Sequence, residues 1–360
     1  MKILLFFLLL LPVPIVASAE PYIAMREGFR CSVCHANHTG GGKRTRMGSA
    51  YGVQDLPWIK VDLKEKNIPL FWSVKEDLLS VGGDFRFSNQ STFVKHDTSN
   101  TFATDQATLY ILFKLLPDRV SFYLDESVAP GGAQAREVVG MIENLPAYGW
   151  IKFGRFFPNY GIRFLDNKNF TREVTGFTFN NPDLGGEVGF EPGNWSLTTS
   201  FTNGTAGALD NNTGKLVVAS ATYVRSAFRL GASGAYNPGP TGIKRSAAAF
   251  GGLHWWKAVL LAEADYIRDD SDPTFKRDQF VAHGEVDYEI FKGWNVKAVY
   301  EYFDPNRDVA EDQRDRVVIG FEPFIAPWVQ ASVFYTFNQS IPQNALQNAD
   351  ELDFGFHLYF

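Results

Sequence analysis

From Asp77 to the last residue, apolar and polar side chains alternate with a period of two. Val81, Gly83, Phe85 and Phe87 alternate with Gly82, Asp84, Arg86 and Ser88, and Trp294, Val296, Ala298, Tyr300 and Tyr302 with Asn295, Lys297 and Glu301. Further rows are Val317-Ile319-Phe321, Val329-Ala331-Val333-Tyr335-Phe337 and Leu352-Phe354-Phe356-Leu358-Phe360. Such spacing predicts strands with one apolar and one polar face. Residues 20–76 lack it. They are rich in Gly, Lys and Arg and contain Gly40-Gly41-Gly42, Pro57 and Pro69. A segment that short buries little core by itself, so it needs a bound apolar group or walls around it.

Connection lengths predict the topology. Long polar links fall near 89–103, 129–135, 158–183, 204–214, 237–242, 269–277, 304–311 and 339–349. Short turns fall at Leu116-Pro117-Asp118, Asn144-Leu145-Pro146, Glu191-Pro192-Gly193, Ser226, Trp255-Trp256, Phe291-Lys292-Gly293 and near Pro323. Long and short links alternate, as the external loops and periplasmic turns of a membrane barrel do. The expectation is an all-β fold, an antiparallel transmembrane barrel of about 16 strands, with both chain ends on the periplasmic side. The strand-like stretch Glu173 to Asn180 is assigned to the third long link, because a further strand would break the parity. A soluble sandwich or propeller fits less well, since soluble sheets rarely close on a C-terminal aromatic. Trp255, Trp256, Trp294, Trp328, Tyr302 and Tyr359 near the turns read as interfacial girdles.

Composition agrees. The chain is 15% aromatic with 32 Phe and 32 Gly, and its mean hydropathy of -0.15 suits a barrel whose lipid-facing and lumen-facing residues average out. Lys2, the apolar run Ile3 to Leu11 and Ala17-Ser18-Ala19 read as an export signal. The expected division is therefore signal peptide 1–19, an N-terminal segment 20–76, and an outer-membrane barrel 77–360 in contact with lipid. A net charge of -6 argues against a nucleic-acid partner.

Candidate chemistry sits in the N-terminal segment. Cys31-Ser32-Val33-Cys34-His35 holds the only two cysteines of the chain, and C-x-x-C-H is the covalent haem c attachment signature. Cys31 and Cys34 would form the thioethers, and His35 would be the proximal iron ligand. A redox dithiol would sit in a βαβ setting, and a zinc site would need two further ligands. For the distal position the candidates are Met47, after the Gly-rich turn, and His357, which points to the lumen if Phe356 and Leu358 face lipid. His38 is too close to His35 to reach the other haem face, and Met25 reads as a packing residue. His283 points inward beside Glu285, Asp287 and Glu289. Glu263, Asp265, Arg314 and Arg316 point inward too. The basic run Lys43-Arg44-Thr45-Arg46 is expected to dock on inward carboxylates and hold the segment in the lumen as a plug. Two acidic links, Arg268 to Asp272 and Asp304 to Asp315, are candidates for gathering Fe²⁺.

The order of these features resembles the fused monohaem cytochrome–porins of the bacterial outer membrane, the iron-oxidising outer-membrane cytochrome family. The resemblance is carried by the export signal, by Ala24-Met25-Arg26-Glu27-Gly28-Phe29-Arg30-Cys31-Ser32-Val33-Cys34-His35, by the Gly-containing stretch and by the barrel. Thr39-Gly40-Gly41-Gly42 stands where that family often has Pro-x-Leu. The resemblance implies a haem inside the barrel or at its mouth, oxidation of extracellular Fe(II), and transfer of electrons to a periplasmic c-type cytochrome or other electron carrier. The alternatives are a conduit running outward to an extracellular acceptor, or a solute-diffusion porin with an accessory haem. Gly154-Arg155-Phe156-Phe157-Pro158 and Gly161 resemble phosphate-selective porins. A haem peroxidase would need acid–base groups for which no constellation is present.

Overall fold

The structure is a computed structural model that describes residues 20–360 apart from 67, 76, 95, 96, 165, 167, 211, 273–275 and 341–347. The export signal expected at 1–19 lies outside the described residues.

Sixteen long strands, from Leu79–Val94 to Asp350–Tyr359, form one antiparallel sheet in which each pairs with the next in sequence. The last closes on the first, with Phe356 opposite Phe87 and Leu358 opposite Phe85. A two-residue strand, Ser73–Val74, extends the first strand's partner set at the rim. Closure follows from the alternation: Phe153, Tyr300 and Ile319 are exposed on the outer face, where lipid covers them, while Asp84, Arg86 and Ser88 are buried inside.

Four details differ from expectation. Residues 89–94 and 97–103 are paired strand, with Asn89 opposite Phe102 and Thr92 opposite Ser99. Its many polar residues lack the apolar row of the other strands, so it reads as a loop. The turn expected near Pro323 comes later, because the strand Arg314–Ala326 runs through that proline. Glu173 to Asn180 does belong to the third long link, but its start is helical, within Phe170–Thr175. Tyr359 belongs to no girdle. It shares the inward parity of His357, is 3% exposed and donates to the Gly52 carbonyl at 2.8 Å.

Residues 20–56 fold inside the barrel, in the half bounded by the short turns. Helix α1 (Pro21–Glu27) ends on Gly28 in the left-handed conformation at φ 67°. A Cβ there would lie 2.7 Å from the Ser226 backbone, so the glycine lets the helix end against a short turn. Helices α2 (Cys31–Cys34) and α3 (Arg46–Ala50) follow. The chain leaves along the rim, where Trp58 and Ile59 donate backbone hydrogen bonds to Phe324 and Ile325.

Apolar packing anchors this plug. Tyr22 and Met25 are fully buried with Val218, Phe250, Val259 and Leu261, all on inward faces of the barrel wall. Each such side chain contributes about 1.5–3 kcal/mol relative to exposure. The third long link also folds inward. Ile162 donates its backbone N–H to Glu263 at 2.5 Å, so this carboxylate pins the link.

Candidate functional site

The plug builds a small hairpin around Cys31-Ser32-Val33-Cys34-His35. Ala36 donates to the Lys43 carbonyl and Thr45 to the Cys34 carbonyl, each at 2.9 Å. Gly40, Gly41 and Gly42 make the turn, all with positive φ (93°, 80° and 65°), a region open to glycine at no steric cost. A Cβ on Gly40 would lie 3.3 Å from Cys31 Sγ, and one on Gly48 only 2.2 Å from the Cys34 carbonyl oxygen. Glycine thus brings the backbone close to both cysteines.

The two thiols are free and half-buried. Burial and the neighbouring Cys31 push the Cys34 thiol up to about 11. It is therefore protonated at neutral pH, which disfavours the thiolate chemistry of a redox dithiol. His35 is buried, and burial together with the Arg44 charge pushes its pKa down to about 4. Its imidazole is neutral, the form that ligates a metal, and Nδ1 has no hydrogen-bond partner.

Cys31, Cys34 and His35 line one internal cavity of about 250 Å³, whose walls include Gly40, Arg44, Tyr51, His357 and Tyr359. Toward the long links lies a second cavity of about 490 Å³, lined among others by Lys168, His283 and Arg316. The two share Pro21, Arg86, Gln106, Arg136 and Phe179, which form the partition between them.

The distal candidates separate. His357 lines the first cavity, 2% exposed, with Nε2 against Asp84 and Nδ1 3.1 Å from Gln330. Met47 is 46% exposed and is not part of that wall. His38 lines the wall too, stacked on Trp150 at 5.2 Å and paired with Glu143 at 3.2 Å. Met25 packs in the apolar cluster, as its position before the motif suggests.

The basic run docks differently from expectation. Arg46 pairs with Asp77 at 2.6 Å, Lys43 lies over Phe71 and Arg44 over Tyr359. Glu263 holds the third link instead, and Arg316 pairs with Glu301 and Asp166. The plug is held by residues that parity did not single out. Asn37 donates to Glu137 at 2.9 Å, Arg30 and Ser32 reach Glu191, and Glu20 pairs with Lys297 at 2.8 Å. Lys152 donates to both Asn37 and Thr39 at 3.1 Å. One signal was available in the sequence: Ala258-Val259-Leu260-Leu261-Ala262 is apolar at every position, as a strand covered on both faces reads.

In the acidic link 268–272, Asp269 pairs with Arg277, and Asp270 with Arg245 and Arg268. Among the described residues no group of three or more His, Cys, Asp or Glu is arranged to hold a metal ion.

Solved structures similar to this barrel are outer-membrane proteins. OmpT of Vibrio cholerae, expressed in the outer membrane, shares 13% identity at a TM-score of 0.60, covering 80% of this chain and 100% of that one. An anion-selective porin from Comamonas acidovorans shares 10% at 0.62, covering 78% and 99%. Salmonella typhi OmpF, in complex with daunomycin, shares 13% at 0.60, covering 78% and 97%. No family model and no curated protein matches the sequence. The likeness shows the fold, a closed sixteen-strand antiparallel barrel shared with outer-membrane porins, and a closed barrel with such neighbours supports the outer membrane as location. It thus bears out the barrel half of the resemblance, and a barrel in that membrane would contact its lipid.

Proposed function

We propose that this barrel is an electron conduit across the outer membrane. Its plug carries one haem c bonded through Cys31 and Cys34 with His35 as proximal ligand. The observation that carries the reading is the shared cavity: both thiols and a buried, neutral imidazole face one enclosed space inside the barrel. A haem bound there supplies reversible one-electron chemistry. The chain's own residues do the rest. Gly40 leaves room beside the Cys31 thiol, Gly48 lets helix α3 close on the Cys34 backbone, Tyr51 and Tyr359 exclude water, and the partition at Arg86 and Arg136 separates the site from the second cavity. His357 is the candidate sixth ligand, if Gln330 yields Nδ1, whereas Met47 lies outside the cavity wall. Fe(II) is the proposed external donor and a periplasmic c-type cytochrome the acceptor. The same geometry serves outward flow to an extracellular acceptor.

A second reading has its own support. The neighbours by fold are porins, and the second cavity is the roomier of the two and carries cationic side chains such as Lys168 and Arg316, so a solute-diffusion pore of the phosphate-selective type is the alternative. Against it stands the plug, which fills the short-turn half where a solute would have to leave.

The test is mass analysis and an absorption spectrum of the exported protein, with and without Fe²⁺. The conduit reading expects one covalent haem whose spectrum turns to the reduced form. An unmodified chain that forms large open channels supports the pore instead.

A further inference from the structure

The first cavity carries an excess of positive charge. Six arginines line it (Arg30, Arg44, Arg86, Arg136, Arg163 and Arg229), against the carboxylates of Glu20 and Asp84. Three of the six have carboxylate partners: Arg30 with Glu191, Arg86 with Asp84 and Arg136 with Asp125. The other three pair with no carboxylate among the described residues. Arg163 donates to the carbonyls of Gly40 and Phe157, each at 2.7 Å. Arg229 donates to the Phe29 carbonyl at 2.9 Å. Arg44 lies over the Tyr359 ring at 4.4 Å, and its Nη1 is buried without a partner. Guanidinium stays charged at any accessible pH, and like charges enclosed together repel strongly in a low-dielectric space. A cavity built this way is completed by an anion.

Two of the three sit where that anion would be useful. Arg44 stands opposite His35 in the hairpin, Arg163 is fastened to the Gly40 carbonyl, and both line the same cavity as the imidazole. Arg229 is tied to Phe29, ahead of the cysteines. We infer that Arg44 and Arg163 form a carboxylate subsite of this cavity, which receives the two propionates of the haem. The inference rests on the haem reading above and deepens it. Thioether bonds fix the vinyl-derived edge of the ring to Cys31 and Cys34. The propionates are the remaining polar groups, and guanidinium is suited to carboxylate by its planar fork of donors. Arg163 belongs to the long link between Phe156 and Asp183, so the subsite also fastens that link to the plug.

The test uses the haem-loaded protein with Arg44→Gln and Arg163→Gln, read by spectroelectrochemical titration across pH. Removing a cation beside the ring lowers the midpoint potential, because reduction adds negative charge. It also moves the pH-dependent step of the potential to higher pH, because the propionate loses the charge that favours its ionised form. Arg44→Lys and Arg163→Lys keep the charge and hold both readings near wild type, which separates the subsite from a general loss of folding. Inorganic phosphate added to wild-type protein leaves the potential unchanged if propionates fill the subsite. A phosphate-induced shift would mean that a diffusing anion fills it, and would overturn the inference. Haem-loaded Gln variants with wild-type potential and pH profile overturn it as well. A chain recovered without haem removes the underlying reading and this inference together.

Discussion

Lys152 Nζ lies 2.9 Å from a carboxylate oxygen of Glu187, with both side chains 1% exposed. From this position inside the barrel the ammonium also reaches Asn37 and Thr39 of the plug. Wall and plug therefore share one buried charge. Removing one partner of such a pair leaves the other charge desolvated and unpaired, at a cost of about 3–5 kcal/mol. Lys152→Met should release the plug, seen as new protease cleavage within residues 20–56 while the barrel itself stays resistant. Wild-type-like resistance would show that apolar packing around Tyr22 and Met25 suffices.

The same burial fixes the salt response. Screening acts on exposed charges and much less on enclosed ones. Protease resistance of residues 20–56 should therefore persist at about 1 M salt, where the Debye length is only ~3 Å. Loss of resistance with rising salt would mean that exposed pairs such as Arg46 with Asp77 hold the plug.

Glycine clearance makes a sharp steric prediction. Gly48→Ala drives a methyl to within 2.2 Å of the Cys34 carbonyl oxygen. Overpacking of this kind costs about 1–3 kcal/mol, read as earlier thermal release of the plug. Gly284→Ala meets nothing within 4 Å and should leave the melting profile unchanged.

His35 sets a pH dependence in haem-free protein, obtained with Cys31→Ala and Cys34→Ala. Its folded pKa is about 4, against an ordinary value of 6.5. Between those values the unfolded plug binds a proton that the folded plug refuses, so stability rises with pH across that window. His35's contribution is complete above pH 6.5 and is lost as pH falls toward 4. His35→Asn should flatten the profile there, as measured by plug protease resistance against pH.

Strand number, closure and the inward direction of His357, His283 and Glu263 were legible because lipid on one side and lumen on the other impose a strict period of two. The pairing of Asn89 with Phe102 was not, since a strand without an apolar row carries no such signal. Cys31, Cys34 and His35 were legible as a motif. The residues that seat the plug were hidden for another reason. Lys152 and Glu137 look like ordinary lumen charges and Glu191 like a turn residue, and only the folded plug shows that Asn37 and Arg30 meet them. The basic run misled because Arg44 and Lys43 settle on aromatic rings rather than on the nearest inward carboxylates.

The conduit claim is tested most directly in liposomes that enclose cytochrome c, a protein too large for the lumen, with Fe(II) supplied outside. Wild-type barrel and the Cys31→Ala/Cys34→Ala variant are compared at equal insertion. An electron-conducting plug reduces the enclosed cytochrome in the wild type and leaves it oxidised in the variant. Equal rates for the two would show Fe(II) passing through an open pore, and no reduction by haem-loaded wild type would contradict electron transfer through the plug.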